Sequence, residues 1–147
     1  WQNRPDLPMR VIHPMANGLN SLSRAEKLHA IREAMQERGL SHNFVSSVDD
    51  VAWILNCRGS DVECNPVFLA HLYIGLAGCV LFVQAAKIDA DLQQALAADG
   101  ISLQDYADSG VYLSQLNGLK YDQSDKNPPP LGGSRARWRS NLCFAAV

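Results

Sequence analysis

Between two apolar runs lies "NCRGSDVECNPVF", residues 56–68, with one base, two acids, two thiols, a glycine and a proline within thirteen positions. Arg58 can clamp a carboxylate with two parallel donors. Asp61 is close enough in sequence to hold that guanidinium, and Gly59 permits a tight turn between them. Two readings follow. In one, Arg58 and Asp61 staple the loop to itself. In the other, Arg58 is offered to a substrate or to a neighbouring domain, with Asp61 beside it at a cleft or interface.

The rest of the chain supplies little that would complete an active site. Nucleophilic catalysis needs a nucleophile, a base and an orienting group together. There is no G-x-S-x-G elbow, no G-x-x-x-x-G-K-[ST] loop and no G-x-G-x-x-G. His13, His29, His42 and His71 are scattered. His29 falls on a helical pattern without a ligand partner at i+4, and His71 sits inside an apolar strand pattern. All four read as core or surface histidines rather than metal ligands. Asp49 and Asp50 read as helix-start residues before they read as a catalytic pair.

Cys57, Cys64, Cys79 and Cys143 form no C-x-x-C pair and fit no zinc template. They read as reduced thiols of a cytoplasmic protein, with a Cys57–Cys64 bridge allowed but not demanded. At net charge −2 the chain carries no basic field for nucleic acid or a membrane surface. Residues 67–83 carry no formal charge over 17 positions. A spanning helix wants about 20, and His71, Gly75 and Gly78 interrupt this run. A buried hairpin turning at "GLAG" is the better reading. The polar, proline-rich start is no secretory signal. A first residue of Trp1 rather than methionine leads us to expect a piece of a longer polypeptide.

The elements that must position the loop can be read in order. Residues 1–20 carry three prolines and read as an extended linker or lead-in strand. Residues 21–119 read as the folded domain. Ser23 and Glu26 make a capping box, and Leu28, Ile31 and Met35 share a face of the helix that follows. Gly39 is placed to stop it, and Lys27, Glu33 and Glu37 read as its solvated side. "FVSS" is a short strand. Ser47 starts a second helix over "VAWILN", with Val51, Ile54 and Leu55 inward and Trp53 partly covered. "CRGSDVECNP" is loop. "VFLAHLYI" and "CVLFVQ" are strands. "AAKIDADLQQALAADG" is a helix with Ile88, Leu92 and Leu96 at four-residue spacing, stopped by Gly100. "ISLQDY" is a strand and "ADSGVYLSQL" a last helix. This interleaving predicts an α/β fold, a mixed β-sheet flanked by helices.

Residues 120–147 read differently. They hold 5 basic and 2 acidic residues, +3, against 8 and 13, −5, for residues 1–119. Three prolines and a Gly-Gly make this an irregular tail. Its Arg135, Arg137 and Arg139 suit an acidic surface, in this molecule or a second copy. Trp138, Leu142 and Phe144 are its candidate apolar anchors, and a homodimer through this tail is one outcome.

"DDVAWILNCRGSDVECNPVFLAHLYI" and "GCVLFVQAAKIDADLQQALAADGISLQDY" together resemble the second domain of three-domain Xaa-Pro aminopeptidases, the aminopeptidases P of the pita-bread metallopeptidase superfamily. "WQNRPDLP" followed by "HP" is similar to the segment leading into that domain. The likeness runs from Trp1 to about Leu116. It implies a creatinase N-terminal domain-like fold. The family removes an N-terminal residue preceding proline with two divalent metal ions, typically manganese, bound in a later catalytic domain. None of those ligands falls in this chain. The resemblance therefore implies a non-catalytic, N-terminal-side domain, inactive alone, that helps form the substrate cleft and the dimer of a peptidase whose catalytic domain is the missing partner. Arg58 and Asp61 would lie at that boundary.

The sequence departs from the family in three places. Cys57 replaces an aliphatic residue, and Glu63 and Cys64 replace the usual proline and aromatic. After Leu116 the likeness stops, so the tail reads as truncated, frame-shifted or vector-derived sequence. Two rival readings stay open: a stand-alone interaction module, and an enzyme with its own site at Arg58, Asp61 and Cys64.

Overall fold

The computed structural model describes residues 6–16 and 18–116, together with the backbone of Trp138–Ser140. In order, the elements are β1 (His13–Pro14), α1 (Arg24–Glu37), β2 (His42–Val45), α2 (Val48–Leu55), β3 (Cys57–Arg58), β4 (His71–Gly75), β5 (Cys79–Phe82), α3 (Ala90–Ala98), β6 (Ile101–Gln104), α4 (Ser109–Leu116) and β7 (Trp138–Ser140). Short 3-10 turns at Ala85–Lys87 and Tyr106–Asp108 precede α3 and α4.

A five-stranded mixed sheet runs β6-β5-β4-β2-β7. The β2–β4 and β4–β5 pairs are antiparallel, and β5–β6 and β2–β7 are parallel. The α/β reading therefore stands. Period-two alternation gives the sheet two apolar faces. Leu72, Ile74, Cys79, Leu81 and Ile101 face the main core with Leu28, Ile31 and Met35 of α1, Val51, Ile54 and Leu55 of α2, and Leu92 and Leu96 of α3. Tyr73, Val80 and Phe82 face the other way and pack with Phe44, Tyr112 and Leu116.

The starts and stops follow local chemistry. Ser23 accepts from the Glu26 amide while the Glu26 carboxylate takes the Ser23 amide at 2.7 Å, so both orphan donors are satisfied. A bond from the Ser23 hydroxyl to the Glu26 carboxylate at 2.6 Å, and then that from the Ser23 amide, hold Glu26 below the ordinary carboxylate pKa. Gly39 takes φ +64° just past α1, and Gly100 takes φ +74° past α3. Gly75 and Gly78 close the β4–β5 hairpin through a 2.8 Å backbone bond.

Several boundaries differ from the sequence reading. The helix expected from Ala85 starts at Ala90, because Asp89 caps it by accepting from Leu92 at 2.8 Å. Ile88 is extended between turn and helix. The strand expected from Val67 begins at His71. The backbone before it is committed elsewhere: Asp61 donates to the Val67 carbonyl, and Leu69 donates to the Asp61 side chain. "ISLQDY" ends its strand at Gln104, since Asp105 caps the next turn through Ala107. Lys27 is not on a solvated face but buried, 5% exposed, whereas Glu33 and Glu37 are exposed as expected. His29 does have an i+4 neighbour, Glu33, at 3.3 Å, an exposed pair with no third ligand among the described residues.

The expected loop after α2 opens on β3, which pairs antiparallel with β1, His13 opposite Arg58. Ile12 is buried, and its amide donates to the Lys87 carbonyl at 2.9 Å. Within the tail, backbone 138–140 lies parallel to β2 of the same chain, a strand where irregular structure was expected. The side chains of Trp138 and Arg139, and residues Arg135, Arg137, Leu142, Cys143 and Phe144, lie outside what the structure describes.

Candidate functional site

Arg58 and Asp61 do not staple one another; each is held by a different part of the fold. Arg58 Nη1 donates to the carbonyls of Ala52, at 3.2 Å, and Cys57, at 2.8 Å. Asp61 turns inward. Its side chain is completely enclosed and accepts from the Leu69 amide at 2.7 Å and from the Lys87 ammonium, itself 1% exposed. The reason for the split is competition. A buried carboxylate needs a buried cation, and Lys87 is delivered from beneath by the turn before α3. Arg58 meanwhile meets the carbonyl of Ala52 in the last turn of α2, shared with the Asn56 amide, and that of Cys57 just beyond it.

That helix end gathers three cations. The last carbonyls of a helix lack intrahelical partners and carry the negative pole of its dipole. Arg24 Nε donates to the Leu55 carbonyl at 3.0 Å, Lys27 Nζ to the Trp53 carbonyl at 2.7 Å, and Arg58 Nη1 to that of Ala52. Asn56 stops the helix in the left-handed region, φ +51°. It accepts from Lys27 and donates to the Leu22 carbonyl at 2.9 Å. The Lys27 ammonium also stands 4.1 Å over the Trp53 ring. Burial pushes the Lys27 pKa down, and the nearby Arg58 charge adds to the effect.

The loop between these anchors is close-packed. A Cβ on Gly59 would sit 2.8 Å from Phe68 Cβ and 3.1 Å from the Val67 carbonyl oxygen. Cys64 is exposed at φ +59°, in the turn where Val62 bridges Asn65. Cys57 is buried, and its thiol donates to the Leu55 carbonyl at 3.3 Å, so Cys57, Cys64 and Cys79 are free thiols and no 57–64 bridge forms. Nothing unites Arg58, Asp61 and Cys64 into one reactive cluster. Sequence reasoning missed Lys27 and Lys87. Lys87 sits among apolar residues in the chain, at "AAKI", and that was its available signal, whereas Lys27 follows Glu26 in "EKLHAI" and carried none. No group of three or more His, Cys, Asp or Glu among the described residues can hold a metal ion. The two-metal chemistry that the resemblance implies does not fit the residues described.

Residues 3–136 match the family model described as the Creatinase/Prolidase N-terminal domain. The chain belongs to this family. As a creatinase/prolidase N-terminal domain it is 29% identical, over 92% of its length, to a probable Xaa-Pro aminopeptidase P of Sclerotinia sclerotiorum, covering 23% of that protein. It is 33% identical over 74% of its length to Xaa-Pro aminopeptidase 1 of Dictyostelium discoideum, covering 17% of it. The chain thus spans less than a quarter of these relatives. A crystal structure of an X-prolyl aminopeptidase from Caenorhabditis elegans, titled a cytosolic enzyme with a di-nuclear active site, shares the fold at TM-score 0.78 and 20% identity, over 97% of this chain and 25% of that one. The family match runs past Leu116, where the resemblance read from the sequence ends. In this creatinase/prolidase N-terminal domain, no helix among the described residues is long and apolar enough to cross a membrane.

Proposed function

We propose that this chain is a non-catalytic, N-terminal-side domain of a cytoplasmic Xaa-Pro aminopeptidase, the second of three. In that role it helps to form the substrate cleft and dimer of an enzyme whose two metal ions, typically manganese, are held by a separate catalytic domain. The observation that carries this reading is the alignment of 92% and 74% of the chain with two Xaa-Pro aminopeptidases of which it makes up under a quarter. Arg58 is the residue of the loop suited to reach a neighbour, because Asp61 is spent inside on Lys87. Asp61 supports the boundary by holding the loop in place.

A domain replacement tests this. The chain is exchanged for the corresponding segment of the Dictyostelium enzyme, and hydrolysis of an Xaa-Pro peptide is measured beside a variant with the segment deleted. The chimera should regain hydrolysis that the deletion loses, with a changed KM. A folded chimera no more active than the deletion overturns the reading and favours a stand-alone interaction module.

A further inference from the structure

The cations at the end of α2 exceed what the helix needs. A helix pole amounts to about half an elementary charge, yet Arg24, Lys27 and Arg58 converge there. Among the described residues their one carboxylate is Asp99, 3.3 Å from Arg24. Arg58 is half-buried, and among the described residues only its Nη1 is engaged. The two carbonyls hold Nη1, and among the described residues Nε and Nη2, the side-on fork that grips a carboxylate, make no hydrogen bond.

Three apolar side chains on the elements around Asn56 and β1 are exposed. Trp53 is 45% exposed, Leu22 41% and Val11 46%. They are joined through Asn56, which bonds to Lys27, Leu22 and the Met15 amide, and through β1, which pairs with Arg58's own strand. An open apolar patch rimmed by charge marks an interaction surface, and exposed Trp and Arg together are the usual anchors of one. The charge there is positive, although the chain as a whole is net −2. A polyanion such as nucleic acid would want a wider basic field, whereas one open guanidinium edge beside an indole suits one carboxylate next to one apolar side chain.

We propose that the C-terminal end of α2 is a docking face for an acidic polypeptide segment, with the Nε–Nη2 edge of Arg58 taking a carboxylate and Trp53 with Leu22 taking the adjacent apolar side chain. This goes beyond the peptidase reading and does not depend on it.

The test is a titration of the isotope-labelled 147-residue chain with acetyl-Glu-Leu-Asp-Phe-Glu-amide, followed by NMR. Two other arms use the same peptide with glutamines for its acids, and inorganic phosphate. The acidic peptide should move the Trp53 indole and the amides of 52–58 saturably at about millimolar concentration or below. Arg58→Lys keeps the charge but loses the fork, and should weaken binding roughly tenfold. Because Arg58 also braces α2, Trp53→Ala serves as a second variant and should likewise weaken binding with the fold intact. The proposal is overturned if the shifts are absent or fall elsewhere. It is equally overturned if the glutamine peptide binds as well, if phosphate alone reproduces the shifts, or if Trp53→Ala binds unchanged.

Discussion

Asp61 and Lys87 are an enclosed ion pair joining the loop after α2 to the turn before α3, 26 positions apart in the chain. Removing one member of such a pair leaves a charge without a partner, which costs about 3–5 kcal/mol. Asp61→Ala should therefore be strongly destabilising in a urea titration. A double-mutant cycle of Asp61 with Lys87 should show coupling of about 0.5–3 kcal/mol, and one with Arg58 should be close to additive. Coupling to Arg58 rather than Lys87 would restore the loop staple. The thiols separate just as clearly. Burial pushes Cys57 up to about 11 and Cys79 up to about 12, whereas Cys64 is exposed. Thiolate is the reactive form, so Cys64 should label fast in the native protein while Cys57 and Cys79 wait for denaturant. A quantitative thiol assay read against time checks this. Rapid labelling of Cys57 would mean that β3 opens.

At the scale of elements, the loop from Gly59 to Leu69 is a packed connector rather than a flexible one. Gly59 donates to the Pro66 carbonyl, and its missing side chain makes room for Phe68, which is fully buried. Gly59→Ala forces a contact between two carbons that cannot both stay, and overpacking of that kind costs about 1–3 kcal/mol. The expected result is a lower melting temperature with Arg58 displaced. An unchanged melting temperature would show that the loop yields freely. The same element explains which residues were legible. Gly39, Gly100, Ser23 with Glu26, and the turn at Gly75–Gly78 all act through neighbours a few positions away, so their roles could be read from the chain. Arg58, Asp61, Lys27 and Lys87 act through partners brought by other elements, so their pairings could not.

For the molecule as a whole, stability should depend on pH through two histidines of the aromatic side of the sheet. Burial pushes the pKa of His42 and of His71 below 6.5. His71 stacks on Tyr106, with ring centroids 4.9 Å apart, and its enclosed Nδ1 has no hydrogen-bond partner among the described residues. A depressed folded pKa means that the unfolded chain takes up protons first. Stability is thus full above about 6.5 and is lost as pH falls through the depressed folded values. The urea midpoint at about pH 5.5 should lie below that at about pH 7.5, and equal midpoints would mean that neither ring is sealed. The strand at Trp138–Ser140 makes a second whole-molecule expectation. It covers the edge of β2, whose neighbour on the other side is β4. Deleting 120–147 exposes that edge, so the melting temperature should fall and association should rise. Sedimentation with a thermal melt checks both, and an unaltered melt would mean that β7 adds nothing to the sheet.

The amino-acid sequence alone determined the α/β class, the capped start of α1 and the hairpin. These rest on local propensity, on period and on short-range turn chemistry, all written in consecutive residues. Only the tertiary structure decided that Asp61 belongs to Lys87, that Lys27 is buried with its ammonium over the Trp53 ring, that Arg58 braces α2, and that β7 lies on β2. Charged side chains have long reach and no period. Which carbonyl or carboxylate they meet depends on how the helices and the sheet pack, and burial raises the penalty for any mismatch.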